Sequence, residues 1–245
     1  MAGPTTLELL WGLREDRPKR GPKPSLTLAR IVAEAIALAD SEGLANLSMA
    51  RLAERLGCAK MALYRYVPGR TELLALMAEV ALGPAPEVPA GWADTPDGWR
   101  DYLREWTETV FRRYYAHPWG LEVATGVRPS GPNELSWPET ALTVLKDKGL
   151  TASEQLDAVV LLLGHARSLV QQVAVPTDTT EGVEELLAKE IAGVLAVHGD
   201  RYPHLTAIMA EQAAQPPAEN GRDDALRFGI DRILDGLGVL MAARK

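Results

Sequence analysis

Apolar residues recur at helical spacing along most of the chain, and no stretch sustains the period-two alternation of a strand. From Leu26 to Ala39 the apolar set is Leu28, Ile31, Val32, Ala35, Ile36 and Ala39, which is one face of a helix. Ser25 or Thr27 can begin it, and Gly43 supplies the left-handed residue that ends it. Ser48 then caps a second helix whose inner edge is Leu52 and Leu56, and Leu47 packs on Leu52 as a hydrophobic staple. Gly57 makes a turn. A third helix of about two turns buries Ala62, Leu63 and Val67. Pro68-Gly69 breaks it, and Arg70 to Leu82 is a fourth helix expected to face Leu73, Leu74, Met77 and Val80 inward.

Gly83 to Gly98 is rich in Pro and Gly and reads as a boundary loop. Trp99 to Ala116 follows as a helix carrying Tyr102, Leu103, Trp106, Val110, Phe111 and Tyr114. The stretch HPWGLEVATGVRPSGPN predicts one short helix and a loop, and Leu135 to Lys148 a helix that stops at Gly149. Thr151 and Glu154 form a capping box opening a long helix to about Val175. Asp178 and Glu181 repeat that start for a helix ending near Val197. A short helix from Pro203 to Glu211, a polar loop from Gln215 to Arg222 and an amphipathic helix from Asp223 to Ala243 complete the chain. At the other end, Thr5 to Arg14 is apolar on one side through Leu7, Leu10 and Trp11, and RPKRGPKP (17–24) is an extended basic arm. The expected fold class is all-α.

Net charge is -7, which by itself argues against nucleic acid, but its distribution reverses that. Residues 17–75 hold ten Lys and Arg against five Asp and Glu, whereas the remainder holds sixteen against twenty-eight. Phosphate binding needs a local field, not a positive total. The single Cys58 excludes an intramolecular disulfide framework and fits a cytoplasmic location. The apolar run Ala158 to Leu163 is too short to cross a bilayer, and the first residues lack the pattern of a secretory signal, so no membrane partner is expected.

Within the basic segment the third helix carries Lys60, Met61, Tyr64, Arg65 and Tyr66 on its outer side. A major groove admits one helix, and Lys and Arg donate to base edges and phosphates while Tyr rings pack on sugars and thymine methyls. Arg70 opens the next helix, where its side chain and the first amides can meet a phosphate. Ser48 and Met49 would lie at the DNA backbone on the groove edge, and Lys19, Arg20 and Lys23 could follow the minor groove or phosphates. Taken alone, the pattern also fits a small solvated helical hairpin.

The run EGLANLSMARLAERLGCAKMALYRYVPGRTELLALM, above all LYRYVPGRTELL, resembles the DNA-binding domain of the tetracycline-repressor (TetR) family. HPWGLEVATGVRPS, GHARSLVQQV, YPHL and DDALRFGIDRILDGLGVLM resemble its regulatory domain, and only the first two dozen residues fall outside the likeness. The resemblance implies a homodimeric repressor that puts the third helix of each subunit into successive major grooves of a palindromic operator in double-stranded DNA. A small-molecule effector in the C-terminal domain then changes the separation of the two heads. The implied organisation is an N-terminal arm (1–24), a three-helix helix-turn-helix DNA-binding domain (25–82) and a helical ligand-binding and dimerisation domain (96–245). The implied groove-facing set is Lys60, Met61, Tyr64, Arg65, Tyr66 and Arg70. Ala59 departs from the family, where a polar cap is common; the change costs about 1 kcal/mol of capping.

For an effector pocket the candidates are Trp106, Val110, Arg128, Trp137, Ala141, His165, Ser168 and Gln172. The resemblance puts Trp106, Val110 and Ala141 at drug-lining positions. It also places Ala124, Val127, Val173 and Pro86 where tetracycline repressors carry the His, Thr, acidic and upstream His groups around a magnesium-drug chelate. No magnesium requirement, no cofactor and no tight tetracycline binding are therefore expected, and Trp106 favours a flat apolar effector or a pocket partly filled by protein. His165, Trp119 and Trp137 can equally be core residues with satisfied polar atoms. Four histidines and one cysteine give no metal-binding spacing, and no phosphate loop or nucleophile-base set is present, so a helical enzyme is the weaker reading. An architectural DNA-binding protein without effector is the third. The last helix carries Phe228, Ile230, Ile233, Leu234, Leu237, Leu240 and Met241, more apolar surface than a solvent-facing terminus tolerates. With 157–175 it is expected to form a symmetric four-helix dimer interface through Phe228, Ile233, Leu237 and Leu240; intramolecular packing is the alternative.

Overall fold

The computed structural model describes residues 4–12, 26–125, 128–173, 183–214 and 221–244. Among them regular structure is helical throughout, with no strand. The helices are α1 (Thr6–Leu10), α2 (Leu28–Glu42), α3 (Met49–Arg55), α4 (Lys60–Leu63), α5 (Arg70–Leu82) and α6 (Gly98–Ala116). They continue as α7 (Gly120–Val123), α8 (Pro132–Leu145), α9 (Ala152–Val173), α10 (Val183–His198), α11 (Pro203–Ala214) and α12 (Gly221–Ala242). The proposed capping box at Asp178 and Glu181 and the segment 215–220 lie outside the described residues.

Local chemistry sets the ends of these helices. Thr27 caps α2 by accepting from the Arg30 amide at 3.2 Å, and Ser48 caps α3 by accepting from Arg51 at the same distance. The Thr151–Glu154 box forms in both directions, the Thr151 amide donating to Glu154 at 2.8 Å and the Glu154 amide donating to Thr151 at 3.3 Å. Helix α8 begins three residues earlier than its apolar pattern indicates, because Pro132 needs no amide partner in the first turn of a helix.

Two apolar cores result. The head core gathers α2, α3, α4 and α5 around Ile31, Leu38, Leu52, Leu63, Leu73 and Met77. Leu10 of α1 and Trp119 and Val123 from the start and end of α7 join it, so the body sends a wedge into the head. The body core joins α6, α8, α9 and α12 around Trp106, Leu145, Leu162, Ile230 and Leu234. Helix α1 docks on α5 through Leu10, while Leu7 and Trp11, expected on the same apolar side, stay exposed; Trp11 donates its indole N–H to the Ser130 carbonyl at 3.1 Å.

Helix α5 overturns its expected inward face. Leu73 and Met77 are buried as expected, but Val80 is 53% exposed and Glu79 is buried in its stead. The cause is position: α5 is packed by α1 and α2 on one side and by α6, α7 and α8 on the other. A helix sandwiched between two cores has no single apolar stripe. The Pro-rich connection after it is pinned to the body. Trp137 donates to the Gly83 carbonyl at 2.9 Å, Tyr102 to that of Pro86 at 2.8 Å, and the Ala85 amide to Ser136 at 2.9 Å. Burial pushes the Tyr102 hydroxyl above its ordinary pKa.

Candidate nucleic-acid interface and regulatory body

The hairpin α3–α4 turns at Gly57, whose φ of +65° is a left-handed conformation that costs a side-chain-bearing residue. The Cys58 amide closes the turn on the Ala53 carbonyl at 3.0 Å. Helix α4 is one turn, not two; the chain then tightens through Tyr66, whose amide donates to Leu63 at 2.8 Å. Leu63 and Val67 are fully buried and hold this segment down. Ala59 makes no capping side-chain bond, as its methyl dictates. Outward point Lys60, Arg65 and Met61, the last 72% exposed.

The other expected groove residues take different places. Ser48 is exposed at the start of α3, but Met49 is a correction: its side chain is buried in the head core, since the first residue of α3 faces inward beneath the cap. Tyr66 donates its hydroxyl to the Leu26 carbonyl at 2.9 Å and so ties the recognition segment to the entry of α2. Tyr64 packs partly on the core with Lys60 5.8 Å from its ring centre. The Arg70 guanidinium donates to the carbonyls of Leu44 at 3.1 Å and Leu47 at 3.5 Å, bracing the α2–α3 connection. Lys19, Arg20 and Lys23 lie outside the described residues, as does Val127.

Charge in the head is sorted the same way. Arg55 pairs with Glu34 at 2.6 Å and Arg51 with Glu42, so the arginines of α3 are neutralised by α2. Arg65 reaches no acidic partner among the described residues. Lys60 and Arg65 thus present exposed positive charge on α4 and the turn after it, where a groove-reading surface needs it.

Head and body are joined by two carboxylates that the sequence reading missed. Asp40, near the end of α2, accepts from the Trp119 indole at 2.7 Å and faces His117 Nδ1 at 2.9 Å. Glu79 of α5 accepts from the amides of Asn133 at 2.6 Å and Glu134 at 3.1 Å, capping the N-terminus of α8 from another helix. Gly131 permits this approach, because a β-carbon there would sit 2.4 Å from the Glu79 carboxylate. Beside it Arg128 forms a bidentate pair with Glu134, at 2.8 and 2.9 Å. A lone acid inside the apolar run LLALMAEVAL was the available signal for Glu79.

The expected effector residues do not converge on one cavity. Trp106, Val110, Trp137 and Ala141 are buried together in the body core. The Trp106 indole donates to the Trp137 carbonyl at 3.0 Å, and the two rings meet edge to face at 5.4 Å. His165 is half-buried with Nε2 3.0 Å from the Leu226 carbonyl, while Ser168 and Gln172 are exposed on α9. Arg128 stands apart at the head–body junction.

The expected interface residues are likewise divided. Leu237 is a correction: it is buried within the chain, on the side of α12 that meets α6 and α9. Ile233 and Leu240 are half-buried, and Phe228 is 65% exposed. Leu156, Val160 and Leu161 of α9 and Val239 of α12 are also exposed. No group of three or more His, Cys, Asp or Glu is placed to hold a metal among the described residues, and none of their helices is long and apolar enough to cross a membrane.

Comparison with known proteins gives the family. Residues 31–77 match the family "Bacterial regulatory proteins, tetR family", and residues 92–241, more than half the chain, match "Tetracyclin repressor-like, C-terminal domain". The HTH-type transcriptional repressor DrrR1 of Streptomyces coeruleorubidus is 40% identical, over 98% of this chain and 87% of its own. Apo ActR of Streptomyces coelicolor superposes with a TM-score of 0.73 at 25% identity, over 91% of this chain and 100% of its own. ActR in complex with actinorhodin gives 0.70 at 26%, over 90% and 99%. With a helix-turn-helix head, a helical body and relatives that are regulators and not enzymes, the chain belongs to the TetR family of transcriptional regulators.

Proposed function

We propose that the protein is a homodimeric repressor that reads a palindromic operator and leaves it when a small apolar or aromatic effector binds. In this reading residues 1–24 are an arm, 25–82 read DNA, and 96–245 bind effector and partner. The observation that carries it is the sorting of charge in the head: Lys60 and Arg65 stand exposed on α4 and its turn while Arg51, Arg55 and Arg70 are engaged internally. Ser48 and Tyr64 flank that surface, and the arm cations Lys19, Arg20 and Lys23 track the neighbouring phosphates.

Two copies associate through α9 and α12. Leu156, Val160, Leu161, Phe228 and Val239 are each at least 52% exposed, a cluster that a monomer would leave in water. On α10, Leu187, Val194 and Val197 are exposed as well. Light scattering should give a dimer, and Val160→Glu with Phe228→Glu should give a folded monomer. The effector class is supported by ActR, whose structures hold actinorhodin and (S)-DNPA. Ala124 in place of a metal-chelate ligand agrees with a non-tetracycline effector. A regulator of this kind works in the cytoplasm beside its DNA.

The deciding experiment is a gel shift and footprint with DNA upstream of the protein's own gene. Salt-sensitive protection of two half-sites about one helical turn apart is expected. Binding without sequence preference at every salt concentration would leave an architectural role instead.

A further inference from the structure

Helix α1 is five residues long, too short to persist unless something holds it. Thr5 and Glu8 close a capping box over its first turn: the Glu8 carboxylate accepts from the Thr5 amide at 2.7 Å, and Thr5 accepts from the Glu8 amide at 3.3 Å. Pro4 before it is buried, and Leu10 at its end is 7% exposed in the head core. The Thr6 hydroxyl stands 3.5 Å from the Glu72 carboxylate, in the first turn of α5. By these contacts α1 belongs to the head, yet it lies outside both regions matched to the family.

Trp11, directly after α1, reaches the body. Its ring is 42% exposed, so the contact gains little from burial; what it delivers is the indole N–H, donated to the Ser130 carbonyl at 3.1 Å. Ser130 adjoins Gly131, where Glu79 of α5 comes in to accept from the amides of Asn133 and Glu134. Residues 130–134 of the body thus give a carbonyl to the α1 segment and two amides to α5, and these bonds fix the head at the start of α8. The Asp40–Trp119 bond ties the head at a separate place, the start of α7. Each tie removes freedom of the head that the others leave. Reading a palindrome needs that loss, since two rigidly held heads offer one separation and two loose heads offer many.

We propose that α1 is a strap holding the reading head on the body and that Trp11 is its positioning residue, so that the bond to Ser130 restricts which half-site spacing the dimer accepts. The proposal rests on reading the chain as a dimer on a palindrome and adds a determinant of operator spacing. Each base pair added at the centre of a palindrome moves one half-site by about 3.4 Å and turns it by about 35° relative to the other. A head held stiffly resists that displacement, and a head freed from one tie follows it more easily. Loss of the strap therefore shows as tolerance of wrong spacings and not as loss of base reading, because Lys60 and Arg65 stand on α4 and its turn, away from the bond.

The test uses the full-length protein, the operator recovered by footprinting, and duplexes in which its half-sites are moved one base pair closer or farther apart. Fluorescence anisotropy should show native protein binding the shifted duplexes about tenfold more weakly than the operator. Trp11→Phe, which keeps a ring and removes the N–H, should cut that penalty to about threefold, with operator affinity within about twofold of native and a melting temperature within about 2 °C. Leu10→Ala, which loosens α1 from the head core, should flatten the preference in the same way while lowering the melting temperature. Leu7→Ala, on the exposed side of α1, should keep the native preference. Hydrogen exchange of the free protein gives a readout without DNA: the amides of Asn133 and Glu134 should exchange about threefold faster in Trp11→Phe. An unaltered spacing penalty in Trp11→Phe, or unaltered exchange at those amides, overturns the strap and leaves the DNA reader standing. A melting temperature that falls with the penalty intact assigns Trp11 to stability alone and overturns it too. Equal binding of every duplex by native protein removes the half-site reading itself, and the strap with it.

Discussion

Cationic and aromatic side chains occur in both halves of the molecule, but the two halves use them differently. In the head, Lys60 and Arg65 stand out from a short segment held down by buried Leu63 and Val67 and by the Tyr66 hydroxyl on Leu26. In the body, Trp106 and Trp137 lie under several helices with their indole N–H groups donated to carbonyls, and two arginines of α6 reach across to α12. Arg100 meets Asp235 at 2.7 Å and Arg104 meets Asp231 at 2.9 Å. A side chain meant for an outside partner is recognisable by what it lacks inside. The two buried indoles have their donors already placed within the fold.

The largest effect that can break this contrast is on stability. Trp106→Ala should lower the unfolding free energy by about 3–5 kcal/mol, since it empties a fully enclosed site and removes the indole's hydrogen bond to the Trp137 carbonyl. Denaturant melting measures it. A loss below about 1 kcal/mol, together with tighter binding of aromatic ligands, would mean that Trp106 lines an open pocket and is not core.

Next in size is the converse experiment on the head. Lys60→Ala and Arg65→Ala should each weaken operator binding by about 1–3 kcal/mol while leaving the melting temperature in place. Fluorescence anisotropy at several salt concentrations distinguishes a base contact, which relaxes sequence preference, from a phosphate contact, which lowers the salt slope. Unchanged affinity in both variants would remove α4 as the reader.

This contrast also explains how much was legible in the sequence. The helices, the Ser48 cap and the cations of the α4 segment follow from residues within a few positions of one another, and local chemistry decides them. The fate of Trp106, Met49 and Leu237 depends on what other segments cover them, which periodicity does not encode. Helix α5 shows the limit most clearly. Its apolar residues point several ways because two domains use it at once, and Glu79 looks like a surface acid until α8 is brought to it.

Glu79 gives the third prediction, aimed at the joint between the two regions. Glu79→Gln removes a buried carboxylate from the α8 amides and turns an amide donor toward them. A loss of about 1–3 kcal/mol is expected by melting. DNA affinity should change with it, because the head loses its fixed point on the body. A variant with lower stability and native DNA affinity would show that the joint holds the fold together without transmitting anything.

The smallest effect lies far from DNA, where α12 closes on α9. The Arg244 guanidinium and then the Thr151 amide hold Glu154 down to about pKa 2. A carboxyl depressed in the folded state contributes stability that is fully present above its unfolded pKa and is lost as pH falls through the folded value. The stability difference between native protein and Glu154→Gln should therefore be constant above about pH 4.5 and shrink toward pH 2. Because the pair is open to solvent, the difference should also fall with added salt. Acid denaturation of the two proteins in parallel measures both dependences. A difference that persists at pH 2 would assign the role of Glu154 to capping α9 and not to its charge on Arg244.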